Sequence, residues 1–343
     1  MGKQIIESKK IHAFLEINAI NLLASAEVKS TGKLSFSKIY GFCRLIFKLI
    51  NNLLFQRPNI CYFALSATGI AFYRDFIFVS LIKQFNVPIL FHLHNKGISI
   101  HGKNWLNHLM YKFIFNKSEI ILLSTHLYND IKKYVQKDQI HICPNGVPDL
   151  NIILDVKVKP TLLFLSNFIR SKGVLDLIDA AYILNSRGLE FHVNLVGCDG
   201  DITKLELEDV ISTKGLRSNF NVIGPQFGSL KYHAIANASF FVLPTYNDCF
   251  PLVLLEAMQA QLPIISTFEG GIPDIVEDGV TGFLVPQRDI VALADCMEQL
   301  ILNPELCQQM GAAGRKRYEE LFTAEIFENR ISEILQEVSL KYT

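Results

Sequence analysis

A two-domain α/β protein with parallel sheets is what this sequence predicts, on three observations. At 343 residues the chain exceeds one ordinary core. Short apolar runs alternate with helix-length stretches through most of it, the order of a parallel sheet wrapped by helices. Between two such series, Pro144-Asn145-Gly146-Val147-Pro148-Asp149 breaks the alternation with turn-forming residues.

In the first series, strands are expected at Phe14–Ile20, Ile60–Leu65, Pro88–His92, Glu119–Leu123 and Ile140–Cys143, with helices at 36–55, 70–85, 103–116 and 126–136. The second has strands at Thr161–Ser166, Glu190–Val196, Phe220–Ile223, Ser239–Leu243 and Pro263–Ser266. Its helices fall at 173–186, 202–213, 229–236, 251–260 and 288–302, and 304–339 is helical and charged. The opening residues Met1–Lys10 read as a helix rather than a strand.

Half the residues are apolar, enough for two sheets covered on both faces. Seven cysteines lie far apart with no CxxC, which argues for a reducing compartment and against a disulfide framework or structural zinc. No uninterrupted apolar run reaches spanning length and no secretory signal opens the chain, so a cytoplasmic protein is expected. The net charge of zero hides an asymmetry: residues 1–150 hold 18 Lys/Arg against 8 Asp/Glu. No acid lies between Glu27 and Asp75, where Lys29, Lys33, Lys38, Arg44, Lys48, Arg57 and Arg74 occur. Within that stretch Ser35–Gln56 reads as a basic amphipathic helix suited to an anionic membrane, each cation adding about 1 kcal/mol. A domain helix with a solvated basic stripe is the alternative.

The most informative stretch is 241–286. A strand ends at a loop bearing Asp248, a helix bears Glu256, and the turn Gly270-Gly271 precedes Pro273. Carboxyl-end loops of parallel strands are where such sheets bind ligands. Two carboxylates suit hydroxyl groups, and a glycine pair lets backbone N–H groups approach an anion. The stretch resembles the retaining glycosyltransferases of family 4, with their two-domain GT-B fold. The resemblance rests on Asp248 and Glu256 with seven residues between them, Glu256-Ala-Met, Gly270-Gly271-Ile-Pro273-Asp274 and Asp278-Gly279-Val-Thr281-Gly282. The first acid is Asp248 where the family usually has Glu.

The resemblance implies two Rossmann-like, doubly wound domains facing a cleft. Residues 1–148 form an acceptor- and membrane-facing domain and 149–320 a nucleotide-sugar domain, while 321–343 is a helix returning toward the first. Such folds usually open with a strand and a glycine-rich turn. Both are missing here, so an incomplete start is expected, or neighbouring strands that close the gap.

Residue by residue, the resemblance places Lys172 and Gly173 at the diphosphate, with Arg170 in the same loop. Ser166-Asn167 replaces the family's Gly-Arg pair, leaving Asn167 beside the donor. Glu256 falls at the ribose hydroxyls and Asp248 at the transferred sugar, with Phe250, Pro251 and Leu252 following it. Gly270 and Gly271 would present N–H groups, and Gly197 opens a turn near the base. In the first domain His94 is the candidate against the donor sugar. His92 is read as a satisfied core histidine on the opposite face of the strand.

The implied activity is retaining, metal-independent sugar transfer from a nucleotide-sugar to a lipid-linked or oligosaccharide acceptor in cell-surface polysaccharide synthesis, at the inner face of the plasma membrane. No cofactor and no nucleic acid are implied. A non-catalytic GT-B partner subunit is the second reading, and a nucleotide-sugar epimerase a less favoured third.

Overall fold

The computed structural model describes residues 2–22, 36–152 and 159–342. The chain forms a mixed α/β protein of two Rossmann-like units, each with a parallel sheet. The first comprises Met1–Leu122, Tyr128–Cys143 and Glu328–Thr343; the second comprises Leu123–Leu127 and Pro144–Phe327.

The first unit opens with two short helices, α1 (Gly2–Glu7) and α2 (Lys9–His12), before the long α3 (Phe36–Phe55). Then come β1 (Cys61–Leu65), α4 (Gly69–Gln84), β2 (Ile89–Leu93), α5 (Ile98–His101), α6 (Trp105–Phe115), β3 (Glu119–Leu122), α7 (Tyr128–Ile131) and β4 (Ile140–Ile142). The described strands stand in chain order, β1-β2-β3-β4, all parallel. Right-handed crossovers in one direction put successive helices on one face of such a sheet.

Phe14–Ile20 forms no strand, which corrects that expectation. Its alternation is interrupted by charge, and most of its side chains are exposed or half-buried, so no apolar face is buried to fix it in a sheet. Nor is there a gap among the four described strands, for β1 pairs β2 over five residues. Helix 126–136 shrinks to a 3₁₀ turn and the four residues of α7. Lys29, Lys33, Ser35 and the side chain of Lys38 lie outside the described residues.

In the second unit the elements run β5 (Thr161–Leu165), α8 (Val174–Ser186), β6 (His192–Val196), α9 (Lys204–Thr213), β7 (Phe220–Gly224), α10 (Ser229–Ala236) and β8 (Phe240–Val242). They continue with α11 (Leu252–Gln259), β9 (Ile264–Thr267), α12 (Ile272–Ile275), β10 (Gly282–Val285), α13 (Ile290–Leu302) and α14 (Pro304–Leu321). The last helix, α15 (Ala324–Lys341), begins in this unit and belongs to the first from Glu328 onward.

Strand order is β10-β9-β8-β5-β6-β7. The chain winds outward from β5 to β7, crosses back, and winds the other way from β8 to β10. Leu162, Leu163, Phe164, Phe240, Phe241, Ile264 and Ile265 are fully buried, as strands covered on both faces require. Where the winding reverses, between β5 and β8, the carboxyl ends of neighbouring strands diverge into separate loops, leaving a crevice.

Candidate functional site

Both strands at that reversal carry predicted site residues just beyond their ends. After β5 the loop Ser166–Gly173 leads into α8. Phe168 N–H donates to the Cys198 carbonyl at 2.8 Å and Arg170 N–H to Asp201 Oδ1 at 2.7 Å, tying this loop to the one after β6. After β8, Tyr246 N–H and the Thr245 hydroxyl both donate to the Ser171 carbonyl, at 2.9 and 3.0 Å. The two loops are thus fixed to each other.

This brings Lys172 to Asp248. Lys172 Nζ lies 2.5 Å from Asp248 Oδ2 and 3.4 Å from the Asn247 carbonyl. Asp248 Oδ1 accepts the Cys249 N–H at 2.9 Å, so both carboxylate oxygens are engaged. Asp248 N–H donates to Oε1 of the buried Glu269 at 3.0 Å, and Glu269 Oε2 accepts from Gln287 at 2.8 Å. Sequence reasoning singled out neither Glu269 nor Gln287.

Glu256 sits on α11 among buried neighbours. Its Oε1 accepts from Lys231 Nζ at 2.6 Å, a residue of α10 also missed in the sequence. Its Oε2 is buried without a hydrogen-bond partner among the described residues. One oxygen is therefore held by Lys231, and the other is a buried acceptor that no described residue satisfies.

Two helix N-termini border the crevice. Gly173 (φ +76°) precedes α8, and a Cβ there would stand 2.2 Å from the Pro244 carbonyl oxygen, so only glycine fits. Neither Gly173 nor Pro251, which precedes α11, supplies a side-chain cap. Apart from the Leu254 N–H, which donates to the Pro251 carbonyl at 3.1 Å, the first-turn N–H groups are thus left to favour an anion.

Several predicted binding groups have other employment. Gly271 N–H donates to the Cys249 carbonyl at 2.7 Å, tying the loop after β9 to the loop after β8, so it is not offered to a ligand. Gly270 N–H has no acceptor among the described residues. Gly197 N–H donates to the Gly224 carbonyl at 3.0 Å, which extends the β6–β7 pairing. The side chains of Phe250 and Pro251 are buried, Phe250 packing edge-on to Phe322 at 6.1 Å between ring centres. Leu252 is partly exposed, and Asn167 and Arg170 are exposed.

His94 belongs to the first unit, just beyond β2. Its ring lies against His92, centroids 4.0 Å apart. The opposite-face expectation is thereby overturned, since residues two apart on an extended chain share a face. His92 is only half satisfied: Nδ1 is 2.6 Å from the Tyr62 hydroxyl, while Nε2 has no partner among the described residues. Burial lowers His94 to about 4; burial, then the neighbouring His94, holds His92 well below the usual range. Both rings are neutral at pH 7.

Comparison with known proteins agrees with this architecture. Residues 151–317 match the family described as glycosyl transferases group 1. The capsular polysaccharide biosynthesis glycosyltransferase CapM of Staphylococcus aureus is 31% identical over 166 residues, 48% of this chain and 42% of that one. The amylovoran biosynthesis glycosyltransferase AmsK of Erwinia amylovora is 27% identical over 243 residues, 67% of this chain and 59% of that one. The chain thus spans less than two thirds of the length of these relatives. Among solved structures, Anabaena HepE in complex with UDP superposes with a TM-score of 0.73 at 17% identity, covering 86% of this chain and 82% of that one. The fold is that of the GT-B glycosyltransferases, and the matched segment supports a GT-B glycosyltransferase of group 1.

Proposed function

We propose that this protein is a retaining, metal-independent glycosyltransferase of family 4, moving a sugar from a nucleotide-sugar to a glycan or lipid-linked acceptor in cell-surface polysaccharide synthesis. The observation that carries the reading is the convergence of Lys172, Asp248 and two uncapped helix N-termini on the β5/β8 crevice, with Glu256 Oε2 unpartnered on α11. The donor's anomeric C–O bond breaks as negative charge grows on the departing diphosphate, and fixed cations and N–H dipoles count most where that charge appears. Lys172 and the α8 N-terminus supply them. Glu256 Oε2 accepts a ribose hydroxyl, and Asp248 meets the transferred sugar. The acceptor hydroxyl attacks from the face the diphosphate leaves, and the leaving phosphate oxygen takes its proton, so no protein nucleophile is needed. The basic first half turns toward the inner face of the plasma membrane, where the acceptor lies.

The test is release of nucleoside diphosphate from a panel of nucleotide-sugars offered with membrane lipid acceptors, the product analysed for anomeric configuration. A transferred sugar with its configuration kept is expected. No turnover with any donor, or an inverted product, would remove the reading.

A further inference from the structure

In the first unit α4 lies between α3 and α6: Phe42 of α3 meets Phe78 of α4 at 5.4 Å, and Phe76 of α4 meets Phe113 of α6 at 5.7 Å between ring centroids. Tyr73 of α4 also donates to Asn107 of α6 at 3.0 Å. A helix layer over a sheet ordinarily turns its polar stripe to water. These three instead carry a second apolar stripe on the outside. On α3 it is Tyr40, Phe47 and Leu54, seven residues apart; on α4 it is Ile70, Tyr73 and Ile77; on α6 it is Trp105, Leu109 and Phe113. Ile70 is 87% exposed and Trp105 71%.

The charge around these stripes has one sign. From Val28 to Ser118 the sequence holds twelve Lys/Arg and a single acid, Asp75. That acid is fully buried, accepting from Ser66 N–H at 2.9 Å and Arg74 Nε at 2.8 Å. Arg44 and Lys48 are exposed beside the α3 stripe, and Lys103 and Lys112 beside that of α6. Among the described residues of 36–118 no carboxylate reaches the surface. An apolar face this wide asks for a covering partner. Fringed by the cations of its own helices, it is complementary to an anionic bilayer, into which aromatic and aliphatic side chains insert while Lys and Arg meet the headgroups. No helix among the described residues is long and apolar enough to cross a membrane, so the contact lies along the surface.

We propose that the outer face of α3, α4 and α6 docks flat on an anionic phospholipid surface. The proposal rests on the membrane setting of the reading above and names the surface that serves it. Its test needs no turnover, so the two fail separately.

Trp105 is the only tryptophan in the chain, so its emission reports on this face directly. The whole protein is titrated with phosphatidylcholine vesicles and with vesicles carrying about 30% phosphatidylglycerol. A blue shift and quenching by brominated acyl chains are expected with the anionic vesicles only, weakening as salt is raised. In sedimentation, Leu109→Ser with Phe113→Ser is expected to lower the partition coefficient about tenfold, and Arg44→Gln with Lys48→Gln by a similar factor at low salt. Circular dichroism confirms that these surface variants fold. Three results overturn the proposal: no binding to anionic vesicles, binding with Trp105 emission unchanged, or a lipid-independent blue shift that grows with protein concentration, which would mark a second copy as the occupant.

Discussion

The Lys172–Asp248 pair lets a catalytic charge be told apart from a structural one. Their side chains are 21% and 16% exposed, between an exposed pair, worth up to about 1 kcal/mol, and a buried one, whose breakage costs about 3–5 kcal/mol. Lys172→Met leaves Asp248 Oδ2 without its cation while Oδ1 keeps the Cys249 N–H, so a loss of about 2 kcal/mol in folding stability is expected. Adding Asp248→Asn removes the stranded charge and recovers most of that loss. Activity behaves differently. If Lys172 neutralises the leaving diphosphate, its loss lowers turnover by about 10²-fold or more, and no change at Asp248 restores it. Urea unfolding and nucleoside diphosphate release, on the wild type, both single variants and the double, separate the two effects. A double variant that regains both stability and turnover would show that the lysine serves only to hold the loop. A fully active Lys172→Met would remove it from the site altogether.

At Glu256, the Ala variant is expected to lose about 10²-fold in activity; it should also stop distinguishing ribo- from 2′,3′-dideoxyribonucleoside diphosphate in a binding titration, and retained discrimination would refute the ribose role. Replacing the ion pair outright, as Lys231→Met with Glu256→Leu, is expected to leave the unliganded protein as stable or more so while abolishing its thermal shift with nucleoside diphosphate; a shift that persists would count against the pair. Gly173→Ala must accept both a positive φ and a Cβ 2.2 Å from the Pro244 carbonyl. A loss of about 3 kcal/mol in urea unfolding is expected, and less than 1 would mean that the loop relaxes freely. For pH, His94 is lowered by burial to about 4 in the folded protein. The unfolded chain therefore binds more protons between there and the ordinary value near 6.5: its stabilisation is complete above pH 6.5 and is lost as pH falls toward 4. Between pH 7.5 and 5 this amounts to about 2 kcal/mol, which His94→Gln should remove from the urea midpoints; an unchanged pH slope would refute the burial.

How far the sequence could be read follows from where each feature takes its information. Strand β8 is a continuous apolar run, and β5, β6, β7 and β9 are short, mainly apolar stretches, all bounded by turn residues, so they are legible to within a few residues. The strand β10, Gly282–Val285, is not among the expected strands, since Asp278–Gly282 carries a family resemblance but no apolar run. In the structure Asp278 Oδ1 accepts the Leu284 N–H at 2.8 Å and Gly279 N–H donates to the Gly282 carbonyl at 2.8 Å, a turn that launches this edge strand. Phe14–Ile20 fails for the converse reason, having a pattern without a face to bury. On α3 the basic amphipathic pattern is legible, but nothing in the sequence says that Tyr40, Phe47 and Leu54 stand exposed. Helical periodicity shows that two kinds of surface exist, and only packing shows that both apolar flanks are left outside.

Among the site residues the same division holds. Lys172, Asp248 and Glu256 were found because their chemistry and spacing are local. Lys231 and Glu269 were missed because their roles exist only in space: Lys231 lies 25 positions before Glu256 and Glu269 lies 21 after Asp248. Each candidate carboxylate has a dedicated holder, Lys231 for Glu256 and Lys172 with the Glu269-bound backbone for Asp248. Such holders lower the conformational freedom a ligand must freeze, which is how a site is pre-organised. A purely structural glutamate would be expected to have both oxygens satisfied, because an unmet buried acceptor costs about 1–3 kcal/mol. Glu256 has one oxygen held and one bare. That asymmetry adds a physical argument to the motif around it, although Asp176 Oδ2 on α8 is likewise buried without a partner among the described residues.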